Sequence, residues 1–227
     1  MPVKVKIRDL APGAVFDIGP AKVKVMEHFA DGKTLLTATE PIGNRPFTVR
    51  PFTYNRQDPE PNPNDFRSST LKDDLNTDFL NAVAASGVIP VNRIRDAAWD
   101  LSDHKDGAGY GYIVCKVAML PETLVRKYFD AGLLEIDDWE WTITPYAGNA
   151  SGARCVYSDG SLGYGGAWIG NTGVRPAFYV DSDICLSLEE DEVDLSDSAL
   201  LADFTSRQLV EEVLRRIAAG EEDGADE

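Results

Sequence analysis

The sequence predicts an α+β fold made of short strands, two helices and long ordered loops. Three observations support this class. The N-terminal segment alternates apolar and polar residues between turn signals, which is typical of short strands. Two later segments repeat apolar residues at helical spacing. A third segment is rich in aromatic and turn residues without regular periodicity, which predicts short strands between long loops.

Short strands are predicted first, over residues 1–54. Val23 and Val25 alternate with lysines at period two, which is the mark of a half-buried strand. Turn pairs such as Asp31-Gly32 separate such segments. Residues 55–67 contain several closely spaced prolines, and we therefore expect an irregular loop there.

Two helices are predicted after this loop. The first follows Thr70, a residue suited to cap a helix, carries apolar residues every four positions and ends at Gly87. The second opens at Pro121, a favoured first helical position, and ends at Gly132. Between them, residues 110–118 are nearly free of charge, and this predicts a buried strand.

The segment 139–173 differs from the rest of the chain. It holds three of the four tryptophans and eight of the 19 glycines, but only three charged residues. Short strands joined by long ordered loops are expected here. A further strand is predicted over residues 175–180, where apolar residues return.

Acidic residues are concentrated at the C-terminus. The formal net charge is −16, and residues 187–227 contain 14 acidic and three basic residues. We therefore predict a domain over residues 1–186 and an acidic extension over 187–227, with one helix at 205–219 and a disordered end. The negative charge also argues against nucleic acid as a partner, because phosphate binding requires clustered lysine and arginine.

The chain lacks an apolar run of signal-peptide or membrane-spanning length. We therefore expect synthesis in the cytoplasm without a signal peptide and no insertion into a membrane. Cys115, Cys155 and Cys185 are far apart in the sequence and form no Cys-x-x-Cys pair. With two histidines in the chain, no zinc site is predicted, and no metal or other cofactor is expected.

Four motifs resemble a bacterial and phage domain of unknown function. Its pattern runs from a Ser-x-Leu…Leu-Asn-x-x-Phe helix through Trp-x-Leu-Arg-Ser-Pro to Asp-Gly-Ser and Gly-Val-Arg-Pro-Ala. The matching segments are 69–79, 141–145, 159–161 and 173–178. The chain departs from the pattern at Ile143 and Thr144, where the family usually has Arg and Ser. The resemblance covers roughly residues 10–186.

This resemblance implies a C-type-lectin-like fold, similar to that of the variable proteins of diversity-generating retroelements. Such proteins present a variable surface to a ligand or a host receptor, often on phage virions. The resemblance therefore implies a non-catalytic display or decoration protein of a phage or a gut bacterium, with a host-surface or protein ligand.

The composition of 139–173 agrees with such a surface. Tyrosine and tryptophan supply rigid contact area, and serine, glycine and asparagine supply adaptable hydrogen bonding. The candidate ligand-binding residues are Trp139, Trp141, Tyr146, Asn149, Ser151, Tyr157, Ser158, Tyr164, Trp168 and Asn171. The alternative is that Trp141, Tyr157 and Trp168 belong to the core, as buried aromatic residues usually do. Arg175 is expected to be structural, pairing with a carboxylate or with loop carbonyls.

The sequence leaves two alternatives to this function. A related fold houses formylglycine-generating and sulfoxide-synthase enzymes, which require paired cysteines for copper or three histidines for iron; here Cys155 and Cys185 would have to converge. The Glu-Pro-Asn tripeptide at 60–62 resembles a calcium-dependent sugar motif, but it precedes the first helix and lacks partner ligands.

A structural assembly protein is the second alternative. Its helix at 205–219 packs either on its own domain or on a partner, such as a second copy or a virion protein.

Overall fold

The computed structural model of the chain describes residues 3–49, 62–104 and 108–188. All of them belong to one compact unit, Met1–Glu192. Most of the proline-rich loop and the predicted helix at 205–219 lie outside the described residues. Within the described residues, no helix is long and apolar enough to cross a membrane.

Short strands make up more of the described chain than helices do. In chain order they are β1 (Val3–Lys6), β2 (Val15–Asp17), β3 (Lys22–His28), β4 (Lys33–Ala38), β5 (Ile94–Arg95), β6 (Ala97–Asp103), β7 (Ala108–Cys115), β8 (Val117–Ala118), β9 (Glu140–Pro145), β10 (Gly152–Val156), β11 (Leu162–Gly166), β12 (Ala177–Asp181) and β13 (Cys185–Leu188). Every strand pair is antiparallel.

These strands form four sheets in the described residues. The largest has the order β2-β3-β4-β12-β5, and β8 also pairs with β12. A second sheet joins β1 to β13, and β13 runs to Leu188, two residues past the predicted domain boundary. The third has the order β11-β10-β9, and the fourth is the hairpin β6-β7. Antiparallel sheets with separate helices confirm the predicted α+β class.

The first helical segment consists of α1 (Thr70–Asp74), a π-helical turn (Leu75–Phe79) and α2 (Leu80–Ser86). It begins one residue earlier than predicted, because the hydroxyl of Ser69, not of Thr70, accepts a hydrogen bond of 3.1 Å from the Lys72 amide. Its apolar stripe faces the largest sheet, where the rings of Phe79 and Phe178 pack 6.1 Å apart.

The second predicted helix is also present as α3 (Glu122–Asp130). Pro121 precedes it as the N-cap residue. Val125 and Tyr128 are buried, which explains the apolar stripe in this segment. Gly132, at φ +69°, then takes the left-handed conformation in which helices commonly end.

A strand is present over most of residues 110–118, but the prediction that it is buried is wrong. The segment divides into β7 and β8, and only β8 is fully buried. Tyr112 and Val114 on β7 are 67% and 68% exposed. An uncharged strand normally indicates burial on both faces, but this one belongs to a two-stranded hairpin with one face in solvent.

Candidate functional site

The segment 139–173 folds around the sheet β9-β10-β11. Its hairpin pairs Arg154 with Tyr164 and Gly152 with Gly166. Because side chains alternate across a strand, these four positions share one face of the sheet. The aromatic residues of the segment are therefore divided between two faces.

Trp141 lies on the inner face and does not reach the surface. It is 2% exposed, and its ring packs 5.7 Å from that of Phe47. A Cβ atom at Gly165 would lie 3.0 Å from the Trp141 ring, so the glycine leaves room for the ring beside β11. The indole Nε1 donates a hydrogen bond of 2.8 Å to the Arg45 carbonyl. The expectation that Trp141 is exposed is therefore wrong, because glycine and phenylalanine together form an apolar slot for it.

Two tyrosines stack on the other face. The rings of Tyr146 and Tyr164 have centroids 4.0 Å apart and planes inclined by 16°. A Cβ atom at Gly152 would lie 3.3 Å from Tyr164 Cδ2 and 3.4 Å from Tyr146 Cδ1, so this glycine brings both rings close to the backbone. Tyr164 is 52% exposed, and Tyr146 is half-buried beside it.

Trp168 and Ile169 continue this surface. Both lie next to Gly166, the strand partner of Gly152, where a Cβ atom would come within 3.6 Å of Trp168 and 3.3 Å of Ile169. Trp168 is 61% exposed and Ile169 is 43% exposed. We call the surface formed by Tyr146, Tyr164, Trp168 and Ile169 the Tyr-Trp patch. Ile169 was not among the predicted residues, since the sequence prediction selected aromatic and small polar types.

A buried ion pair supports the patch from below. The Arg154 guanidinium lies 4.7 Å from the Tyr146 ring centroid and donates a hydrogen bond of 2.9 Å to the Asp103 carboxylate. Asp103 also accepts a hydrogen bond of 3.0 Å from the backbone amide of Ala147. Strand β6, which ends at Asp103, is thereby tied to the loop that follows Tyr146.

Asn64 fixes the same loop from another direction. Its Nδ2 lies 2.8 Å from the Gly152 carbonyl and 3.3 Å from the carbonyls of both Tyr146 and Asn149. Its Oδ1 accepts a hydrogen bond of 2.7 Å from the Tyr110 hydroxyl. Sequence reasoning missed this residue, because an asparagine in a proline-rich loop indicates a turn and not a contact more than 80 positions away.

Three of the predicted residues lie elsewhere. The rings of Trp139 and Tyr157 make an edge contact at 4.7 Å, and Ser158 is exposed in the turn that follows. Tyr157 covers Gly163, where a Cβ atom would fall 2.0 Å from the tyrosine hydroxyl. Gly163 occupies the face opposite to Tyr164, so this group does not join the Tyr-Trp patch.

The predicted polar residues Asn149, Ser151 and Asn171 lie in the loops that carry the patch. Asn149 and Asn171 are exposed, and Ser151 is half-buried. The Asn149 Oδ1 accepts a hydrogen bond of 2.9 Å from the Ser151 amide, which fixes this turn. Amide and hydroxyl groups are thus available around the patch.

Arg175 has the structural role predicted for it. Its guanidinium donates to both oxygens of Glu140, at 2.7 and 2.6 Å, and to the Glu135 carbonyl at 2.8 Å. Burial raises the pKa of Glu140, and the hydrogen bonds and charge of Arg175 act against that rise. Arg175 is buried and uses its donors within the fold, so it is not a ligand contact.

The cysteines lie in different environments. Cys155 is buried in β10, whereas Cys185 is exposed in β13, a strand of another sheet. Burial raises the pKa of both the Cys155 and the Cys115 thiol to about 11. Across residues 3–49, 62–104 and 108–188, no three His, Cys, Asp or Glu side chains come together as a metal site.

Comparison with known protein families gives a match over part of the chain. The sequence model of a domain of unknown function, DUF6273, matches residues 121–182. This range begins at the N-cap of α3 and includes the whole sheet β9-β10-β11 with the Tyr-Trp patch. No curated protein and no solved structure matches the chain.

Proposed function

We propose that this domain is a non-catalytic ligand- or receptor-binding protein and that the Tyr-Trp patch is its contact surface. The observation that carries the proposal is the stacked pair Tyr146–Tyr164 beside the exposed Trp168. Exposing large apolar side chains to water costs free energy, and a partner that covers them removes this cost.

The support beneath the patch favours binding. The loop after Tyr146 is held by Asn64 and by Asp103, and the strands beneath carry glycines that admit the rings. Rigid aromatic side chains lose little conformational entropy when a ligand covers them. The surrounding asparagine and serine side chains provide hydrogen bonds to a polar rim.

The charge of the segment indicates the kind of contact. Of its three charged residues, Glu140 and Arg154 are buried in ion pairs, and Asp159 lies in the turn at the other end of the hairpin. Contacts at the patch are therefore apolar and hydrogen-bonding, and we expect an affinity that changes little with ionic strength.

A C-type-lectin-like fold is part of this proposal. Two helical segments, short antiparallel strands and ordered loops between β9, β10 and β11 are compatible with it. Display by a phage or a gut bacterium, and variation of the patch between relatives, follow from the same resemblance. The exposure of Tyr164 and Trp168 favours this function over a structural assembly role in which those rings are internal.

The experiment uses fluorescently labelled full-length protein and a panel of intact gut bacteria, with flow cytometry as the readout. We expect binding to at least one strain, and a loss of roughly tenfold or more in the variant Y164A/W168A, as for central aromatic contacts in other interfaces. W139A, which removes an exposed ring from the other face, is the matched control and should bind normally. Binding by Y164A/W168A at the wild-type level would refute the proposal, as would binding to none of the strains.

A further inference from the structure

Strand β7 has an edge that the described fold leaves open. Among the described residues it pairs with β6 alone, so the backbone groups on its other side have no strand beside them. An open edge is a template for pairing with another chain. Folded proteins normally protect such edges with charge, with proline, with a β-bulge or by shortening the strand.

The composition of β7 lacks two of those protections. Its eight residues, Ala108–Cys115, include neither a charged residue nor a proline. The outer strands of the largest sheet differ from it, since β2 has three residues and ends at Asp17, and β5 has two residues and ends at Arg95. Charge and shortening thus protect other edges of this domain, whereas the described part of β7 has only a bulge before Tyr112, where Gly111 has a φ of +72°.

The outward face of β7 is apolar. Tyr112 and Val114 are the two most exposed large hydrophobic side chains of the described residues, and both project from this face. Beside the end of the strand lies a groove of about 550 Å³, whose far wall is the α2 segment with Leu80 and Ala84. The groove leaves room next to the strand edge.

Immediately after β7, an asparagine side chain occupies the hydrogen-bonding groups of the backbone at Val117. The Asn76 Oδ1 accepts a hydrogen bond of 3.1 Å from the Val117 amide, and its Nδ2 donates one of 2.8 Å to the Val117 carbonyl. One asparagine thus replaces a neighbouring strand at this position. The open part of the edge therefore ends before Val117.

We propose that β7 pairs antiparallel with β7 of a second copy of this chain, with the two-fold axis at Ile113. This register places Tyr112 opposite Val114 of the other copy, twice. Aromatic and β-branched side chains opposite each other are favourable cross-strand pairs. The two hairpins then form one four-stranded sheet in the order β6-β7-β7-β6.

Neighbouring registers fit less well. An axis at Tyr112 would place Val114 opposite Tyr110, whose hydroxyl is already bonded to Asn64. An axis at Val114 would place Tyr112 opposite the ammonium-bearing Lys116. The axis at Ile113 alone among these matches the two exposed apolar side chains with each other.

The charge of the chain and the small area of the β7 contact determine how strongly two copies pair. The chain is strongly acidic, and the uncharged β7 edge lets two copies approach without opposing carboxylates. A fully buried tyrosine contributes about 150–250 Å². The area that each copy buries with Tyr112, Val114 and one strand edge remains below the roughly 800 Å² per partner of a standard interface. The dimer should therefore be weak, and its population should depend on concentration.

Crosslinking tests the position of the axis. In the background Cys185→Ser, the substitution Ile113→Cys places two cysteines opposite each other, with Cα atoms about 4.5–5.5 Å apart, within the range of a disulfide. We expect a covalent dimer under mild oxidation. The controls are the background alone and Val15→Cys, at another exposed strand position. Crosslinking of Ile113→Cys no faster than Val15→Cys would overturn the proposed register.

Charge substitutions test the pairing itself, with sedimentation velocity over roughly a hundredfold concentration range as the readout. We expect the wild type to dimerise as concentration rises and Y112K or V114E alone to remain monomeric. In the double variant Y112K/V114E each new cation faces a new anion of the other copy, so dimerisation should return. A wild type that stays monomeric throughout, or a double variant no more dimeric than its parents, would overturn the proposal. Circular dichroism of each variant establishes that it is folded.

Discussion

The guanidinium of Arg175 and the carboxylate of Glu140 form a buried, two-pronged ion pair with bonds of 2.7 and 2.6 Å. Glu140 opens β9 between Trp139, which is exposed, and Trp141, which is in the core. The pair therefore fixes the point at which the aromatic segment enters the fold. The motif Gly-Val-Arg-Pro-Ala at 173–177 matters for this reason, because its arginine supplies the anchor.

Removal of Arg175 should strongly destabilise the domain. R175A leaves the Glu140 carboxylate buried without its partner, and breaking such pairs costs about 3–5 kcal/mol. Urea unfolding monitored by tryptophan fluorescence measures the loss. R45A is the matched control, because the Arg45–Asp74 pair at 3.4 Å is exposed and should contribute less than about 1 kcal/mol. Equal effects of the two substitutions would contradict the anchoring role.

Asn64 should control the order of the loop beneath the patch. N64A removes the 2.8 Å donor to the buried Gly152 carbonyl, which keeps its 3.0 Å bond from the Tyr146 amide, so we expect a loss of about 0.5–1.5 kcal/mol. Hydrogen exchange should become faster in the loop 146–152 than elsewhere. N64D tests the direction of the bonds, since it puts an acceptor against carbonyls and should be at least as harmful. A normal exchange rate in this loop would show that Asn64 does not position it.

The three thiols should differ in reactivity. At pH 8, a thiol with a pKa of about 11 has roughly one thiolate in a thousand molecules, which applies to Cys115 and Cys155. Cys185 is exposed. A thiol-specific reagent should therefore modify one cysteine quickly in the native protein and all three after denaturation, and C185S should abolish the fast phase. A fast phase that survives in C185S would contradict the raised pKa of the other two thiols.

Acid should weaken the contribution of the Asp181 carboxylate to the stability of the folded domain. Burial alone would raise the pKa of this carboxyl, but hydrogen bonds and charge from Arg95 and Arg93 outweigh it and hold the pKa below 3.8. A lowered folded-state pKa stabilises the protein above the ordinary value, and this stabilisation is lost as the pH falls through the folded-state value.

The measurement compares the unfolding free energies of the wild type and D181N across this range. The wild type should be more stable near neutral pH, and the difference should shrink below about pH 4. A difference that grows on acidification would contradict the assigned direction.

Local patterns predicted the helices and the strand-rich start of the chain. Apolar spacing, the proline at 121 and the glycines at 87 and 132 act within a few residues, so their effect is visible in the sequence. The structural role of Arg175 was also predictable, because an arginine within an apolar strand context needs partners.

The details of the candidate site depend on contacts between distant segments. Trp139 and Trp141 are equivalent by local pattern, and only Gly165 and Phe47 decide which ring is buried. The partners of Asn64 lie more than 80 residues away. The exposure of β7 was missed because an uncharged strand normally lies inside a sheet, and no local signal shows that this one has a single neighbour.

Hydroxyl-radical footprinting of the protein, free and bound to the bacterial cells that it recognises, tests the contact surface most directly. Oxidation of Tyr146, Tyr164 and Trp168 should fall on binding, while Trp139 and Tyr157 on the opposite face keep their reactivity. Protection of Trp139 and Tyr157 instead, with the Tyr-Trp patch still accessible in the bound state, would contradict the proposed binding surface.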